Sequence, residues 1–246
     1  MQNTPGRLVE SVEESSYDSW IKFYRPDENS INSQISYYDK GAILGLLLDL
    51  EIRKRTNGAK SLDDVLRYLY TEFFKKDRNY TPVDFQKATE LAAGGSLEEF
   101  FAKYVRGKEE LDYDAALAAA GLRLDRGVIN GPSGKPMERT YFGADVRQEG
   151  ERLMVTRVLA GSPAYEQGLN SGDQIVALDN ARMTLVLFNA RLAEKRPGDL
   201  LNLTIFRSDD LSTMLIKLGG RAEGPYRIVP VTAPTEAQKR IYRGWV

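Results

Sequence analysis

No histidine and no cysteine occur anywhere in the chain, and only two tryptophans do. Without the first two residue types a disulfide framework, a thiol nucleophile, a histidine general base and the usual structural and catalytic zinc sites are all excluded within this chain. Carboxylates alone can hold calcium or magnesium, but the aspartates show no EF-hand spacing, so no metal ligands are assigned here. An excess of charge of either sign is also missing. Thirty-four Lys and Arg stand against 35 Asp and Glu, a net charge of −1, which gives no field to draw in a nucleic acid, and no such partner is expected. Long apolar runs are lacking too. The longest, Ala42 to Leu48, stops at Asp49, far short of a membrane span. The first seven residues, Met1 to Arg7, have no apolar core of the kind a secretory signal needs, and the compartment stays open.

What is present divides in two, as the 246 residues of the chain allow. Up to about residue 34 the aromatics Tyr17, Trp20, Phe23 and Tyr24 mix with turn formers, and one short helix is expected around Ser16 to Phe23. Ser36 to Arg55 reads as a helix that is apolar on most sides (Ile43, Leu44, Leu46, Leu47, Leu48, Leu50, Ile52), the mark of a helix buried in a larger body. Capping boxes are predicted at Ser61–Asp64, Thr81–Asp84 and Ser96–Glu99, where a hydroxyl and an acid three residues on satisfy each other's backbone N–H groups. A fifth helix runs from Asp112 to Ala120 and stops at Gly121.

The turn-rich stretch Gly131 to Pro136 is the expected domain joint. After it come short β segments, Leu153 to Val158, Gln174 to Leu178, Leu201 to Phe206 and Thr213 to Leu218, with one amphipathic helix over Thr184 to Lys195. A possible strand, Tyr226 to Val231, and a helix from Thr235 close the chain. The fold class is α+β, with an all-helical part over 1–130, a small β domain over 131–220 and a tail over 221–246 that packs on the helical part.

Tyr141-Phe142-Gly143-Ala144, Ala160-Gly161-Ser162-Pro163-Ala164 with Gly168-Leu169, and Gly172-Asp173-Gln174-Ile175-Val176 resemble a PDZ domain of the bacterial kind, a β-sandwich or barrel. The resemblance implies that Tyr141, Phe142, Gly143 and Ala144 form a carboxylate-binding loop. The strand from Ala144 to Arg147 then pairs with a ligand strand, and Phe188, Arg191 and Leu192 supply the other wall of the groove. Ala144 stands where a large apolar residue is usual, and the helix begins without His. The implied partners are peptide or protein C-termini.

The first half is similar to the glycyl aminopeptidase family of PDZ-bearing zinc metallopeptidases, in the thermolysin-like clan. The residues that carry this are Glu13 to Ser16, Trp20 to Asn29, and Ile35-Ser36-Tyr37-Tyr38-Asp39-Lys40-Gly41. Tyr-x-Lys-Gly at the start of a buried helix implies that Tyr38, with Tyr37 as the alternative, stabilises the oxyanion of peptide hydrolysis. On the residues alone both tyrosines read as packing at a helix entry. Lys40 reads as structural, Gly41 with Gly45 as a close helix contact, and Glu13 with Glu14 as solvated surface, because adjacent residues do not share a face.

The family's H-E-x-x-H centre is absent, so the resemblance implies a missing N-terminal catalytic region and zinc in the full-length protein, with Met1 inside a longer chain. Family members often act outside the cytoplasm, which points to a periplasmic or secreted setting by resemblance only. Two functions stay open. The chain is either the C-terminal portion of a zinc aminopeptidase, inactive alone, or a stand-alone PDZ-type binding or adaptor protein. Its own end, Gly244-Trp245-Val246, suits either packing on the helical part or the PDZ groove itself.

Overall fold

In the computed structural model, which describes residues 2–127, 137–222 and 224–246, the first helix is set by its cap. Ser11 Oγ accepts from Glu14 N–H and Glu14 Oε2 accepts from Ser11 N–H, so α1 spans Val12–Tyr17. It starts ahead of the expected Ser16 because this box lies upstream, and the aromatics beyond it form turns. A single helical turn, α2 (Ser30–Ser33), leads to the central helix α3 (Tyr37–Arg55), capped by Ser36, whose Oγ accepts from Asp39 N–H.

The all-round apolarity of α3 has its explanation in packing. Leu48 and Ile52 join Val65 and Leu69 of α4 (Leu62–Glu72) and Ala88 of α5 (Pro82–Ala93). Leu44 and Leu47 face Leu111 on another side. The caps of α4 and α5 are the expected boxes, with Pro82 at the first position of α5, where its missing N–H costs nothing. The third box does not form. Leu97 N–H is taken by Glu90 Oε1 and Ser96 O by Arg55 Nη1, so α6 (Glu98–Phe100) starts later and passes into a π-helical turn, Phe101–Val105.

Next, α7 (Tyr113–Ala118), capped by Asp112, runs to Gly121, whose φ of +68° suits glycine. Its Leu117 meets Leu50 of α3. A first strand, β1 (Leu122–Asp125), follows. The expected joint at Gly131–Pro136 lies outside the described residues.

The second half opens with β2 (Glu138–Tyr141), β3 (Ala144–Glu149) and β4 (Arg152–Val158), continues through the turn α8 (Pro163–Glu166) to β5 (Gln174–Leu178) and β6 (Ala181–Arg182), and is crossed by α9 (Leu185–Glu194). Strands β7 (Leu200–Arg207), β8 (Asp210–Lys217) and β9 (Gly219–Ala222) complete it. The main sheet has the order β3-β4-β5-β7-β8, with β6 on β5 and a separate β2–β9 ribbon. Leu201, Leu203 and Ile205 alternate inward along β7 and meet Leu153, Val155, Ile175 and Ile216, the period-2 pattern of a sheet with one buried face. This is the PDZ-like part of an α+β fold. Buried Asp173 anchors it by accepting two bonds from Arg207, both at 2.8 Å, and one from Asn170 N–H.

The chain then returns to the helical half. β10 (Arg227–Pro230) pairs antiparallel with β1, and α10 (Glu236–Trp245), capped by Thr235 and Gln238, lays Ile241 and Trp245 against Leu50, Leu117 and Leu122. Arg53 Nη1 donates to Gly244 O at 2.8 Å, while Val246 is 80% exposed beyond the helix. The C-terminus therefore sits on the helical half and not in the Tyr141–Ala144 loop. One side chain from α2 also joins the halves. Asn32 Nδ2 donates to Val158 O and Asn32 Oδ1 accepts from Ala160 N–H, each at 2.8 Å.

Candidate functional site

Two arrangements on the two halves concern function. The first lies at the start of α3, where the cap on Ser36 fixes the direction of Tyr37 and Tyr38. The loop after α1 brings Phe23 and Tyr24 back over them. Tyr24 backbone N–H bonds Ser19 O at 2.9 Å, and its ring lies 5.1 Å from that of Trp20. Phe23 stands edge-on to Tyr37, and the Tyr37 and Tyr38 rings are 4.2 Å apart. The Tyr24 hydroxyl is 2.8 Å from that of Tyr38 and 3.0 Å from that of Tyr37. Tyr38 is 57% exposed, so its hydroxyl can reach a ligand while bonded from behind.

The two tyrosines differ in acidity. Hydrogen bonding, from Tyr24 first and Tyr37 next, lowers Tyr38 below the ordinary phenol value. The same groups, Tyr24 first and then Tyr38, raise Tyr37 above the ordinary range. Chains of hydroxyls polarise one another in this way. Tyr24 was not singled out in the sequence, since its place in the cluster depends on a loop that carries no local signal.

Beneath this helix start Lys40 is 1% exposed, with Nζ 3.4 Å from Arg7 O. Burial pushes its ammonium below the ordinary value, against the attraction of Glu110 and Glu10. Glu10 in turn accepts from Ile35 N–H. The expected close contact at Gly41 and Gly45 is not there. A Cβ on Gly41 would meet nothing within 4 Å and one on Gly45 only Leu62 Cδ2 at 4.0 Å, so neither is held to glycine by a neighbour, and both border an apolar cleft of about 780 Å³ with Leu44, Leu48, Phe85 and Phe101. Glu13 lies on its rim, whereas Glu14 is committed to the α1 cap.

The second arrangement is the groove between β3 and α9. Gly143 has φ +84°, and a Cβ there would lie 2.1 Å from Ser162 Cβ, so only glycine fits. Its carbonyl accepts from Leu159 N–H at 2.9 Å and Ser162 Oγ at 3.1 Å, which pins the loop from below. Helix α9 is tied at both ends, Leu185 N–H donating to Gln148 Oε1 at 3.0 Å and Thr140 Oγ1 to Lys195 O at 2.5 Å. Along β3 one side is paired with β4, and among the described residues no strand lies on the other.

The residues expected to bind peptide are thus brought into one region but in different roles. Phe142 and Phe188 are buried ring to ring, 5.6 Å apart, and support the groove from inside the core. Ala144 and Leu192 are partly buried against that core, together with Val146 and Leu185. Tyr141 is half-buried under the Arg221 guanidinium, 5.1 Å away, and Arg191 is exposed and paired with Glu194.

No group of three His, Cys, Asp or Glu that could hold a metal ion occurs among the described residues. No helix among them is long and apolar enough to cross a membrane.

Residues 1–44 match the M61 glycyl aminopeptidase family, and residues 140–218 match the PDZ domain. The structure resembles an aminopeptidase N family protein from Idiomarina loihiensis at 27% identity, with a TM-score of 0.78 over 98% of this chain. This chain spans 42% of that protein's length. A serine endoprotease from Yersinia pestis is similar over 35% of this chain and 30% of its own, at 23% identity and a TM-score of 0.31. The PDZ domain of a carboxy-terminal protease from Vibrio cholerae, solved in complex with a peptide, is similar over 35% of this chain and 100% of its own, at 14% identity and a TM-score of 0.30. No curated protein matches. Both family matches and the likeness to the Idiomarina protein fit a PDZ-containing peptidase of the glycyl aminopeptidase family.

Proposed function

We propose that this chain is the C-terminal portion of a zinc-dependent aminopeptidase, to which it contributes Tyr38 as a transition-state hydrogen-bond donor and a PDZ groove for peptide or protein C-termini. The observation that carries it is the position of Tyr38. Its exposed hydroxyl stands at the entry of α3, inside the stretch that matches the glycyl aminopeptidases, on a chain that follows an aminopeptidase N family protein over 98% of its length. A phenol there is suited to bond a carbonyl oxygen more strongly as it gains charge, which accelerates the chemical step and not merely binding. The residues of this chain do not fit a zinc site, having neither His nor Cys, so residues outside it would hold the ion. The groove reading rests on the unpaired side of β3, the left-handed Gly143 and the clamped α9, a geometry suited to strand addition.

The test is peptide hydrolysis by the chain joined to its upstream region. Tyr38→Phe should lower kcat about a hundredfold to a thousandfold with little change in KM. A Tyr38→Phe enzyme with unchanged kcat would exclude this role and pass the question to Tyr37. For the groove, calorimetry on the chain as it stands should show binding of a peptide with a free apolar C-terminus and none of its amidated form.

A further inference from the structure

We infer that Tyr24 is a positioning residue, which donates its hydroxyl hydrogen to Tyr38 and so leaves the Tyr38 proton free to point at the substrate. The inference rests on the proposed role of Tyr38 and adds to it a residue from a different element.

The argument is a count of protons. A phenol hydroxyl has one hydrogen to donate and lone pairs to accept with. The Tyr24 oxygen bridges Tyr38 at 2.8 Å and Tyr37 at 3.0 Å. Since Tyr24 has a single hydrogen, it donates to at most one of them and accepts from the other. If Tyr38 donated to Tyr24, its own hydrogen would be spent within the cluster and none would remain for an oxyanion. The opposite order, Tyr37 to Tyr24 to Tyr38, satisfies every hydroxyl and leaves one unspent hydrogen, on Tyr38, the most exposed of the three rings.

Two further points agree with that order. The Tyr24 bond is the leading cause that lowers Tyr38 and raises Tyr37, the directions that follow when Tyr24 donates to Tyr38 and accepts from Tyr37. The ionisable groups that act on Tyr38 are Tyr24, from the loop ahead, and Tyr37, from its own helix. In addition, Tyr24 is held independently of the pair it bonds, by Ser19 O on its backbone and by the Trp20 ring, so the hydroxyl is delivered to a fixed point.

Tyr24→Phe removes the bridge and keeps the ring. In the chain as it stands, tyrosines labelled with ¹³C at Cζ and followed by NMR should show Tyr38 titrating below the ordinary value of 10.0, and Tyr24→Phe should move that titration upward. In the longer enzyme the same change should lower kcat about tenfold, the effect of one hydrogen bond to a developing charge. KM should hardly change, and the alkaline limb of the pH profile should shift to higher pH. Tyr37→Phe should act in the same direction but more weakly, being one bond further away. If Tyr38→Phe abolishes turnover while Tyr24→Phe leaves both the titration and the pH profile in place, this inference alone is overturned. If Tyr24→Phe moves the titration but Tyr38→Phe leaves turnover unchanged, the donor role of Tyr38 fails and the inference fails with it.

Discussion

At the scale of single residues, Lys40 has an environment that tests its purpose. An ammonium group at 1% exposure with one carbonyl at 3.4 Å is poorly compensated, and buried charges are often replaceable by apolar groups of like volume. Lys40→Met should therefore leave stability at pH 7 unchanged or raise it by about 1 kcal/mol in urea denaturation. The pH dependence has a definite sign. Because burial holds the folded-state value below the ordinary 10.5, the unfolded chain keeps this proton longer as pH rises, and the group's contribution to stability improves between the two values. The advantage of Lys40→Met should accordingly shrink as pH approaches 10.5. A clear loss of stability would show that Glu10 and Glu110 compensate the charge after all. Asp173 is the opposite case, a buried carboxylate with both oxygens accepting hydrogen bonds. Asp173→Ala should cost the PDZ-like half about 3 kcal/mol, since it strips Arg207 and Asn170 of their partner.

Among the elements, the helices were legible wherever their signals were local. Ser61 with Asp64 and Thr81 with Asp84 lie three residues apart, and the sequence announces both starts. Ser96 has the same appearance, yet its carbonyl answers to Arg55, distant in sequence, and the next N–H to Glu90 of the preceding helix. The missed strands β2 and β9 follow the same rule. Tyr141 and Thr140 pair with Gly219 and Gly220, and a glycine pair shows no alternation to read. In the candidate site, the place of Tyr38 at the start of α3 was legible in the sequence, whereas Tyr24 needed a loop to bring it beside Tyr38 and Phe188 needed the fold to show that it faces inward. The caps themselves can be checked. Ser11→Ala or Thr81→Ala should each cost about 1 kcal/mol. The backbone N–H of Ser11, followed by its hydroxyl, lowers Glu14 below its ordinary 4.5, and the hydroxyl of Thr81, followed by its backbone N–H, lowers Asp84 below 3.8. The carboxylate contributions are complete above those values and fade as pH falls through the depressed ones, so the Ser11→Ala and Thr81→Ala deficits should shrink in acid by the hydroxyl–carboxylate part alone, while the part from the hydroxyl accepting the Glu14 or Asp84 backbone N–H stays.

For the whole molecule, the contacts that join the halves include Asn32 bridging Val158 and Ala160, Arg221 donating to Asn3 Oδ1, and the tail that returns to α3. Removing Trp245 and Val246 should lower stability by roughly 2 kcal/mol, because Trp245 covers the Leu50 cluster. Peptide affinity should not change, since the end of the chain lies on the helical half. An increase in affinity after that deletion would restore the tail as a resident ligand.

The unpaired side of β3 has one more implication, for solubility. A row of free backbone groups accepts a second sheet as readily as a ligand, which is how exposed edges start aggregates. On this strand the exposed positions are Asp145, Arg147 and Glu149, with Arg157 paired to the first of them. Another copy of the same edge would have to bring its own fixed charges up against these, whereas a short free peptide can meet the edge with whatever side chains it carries. The strand stays open to one guest and discourages the stacking of its own kind.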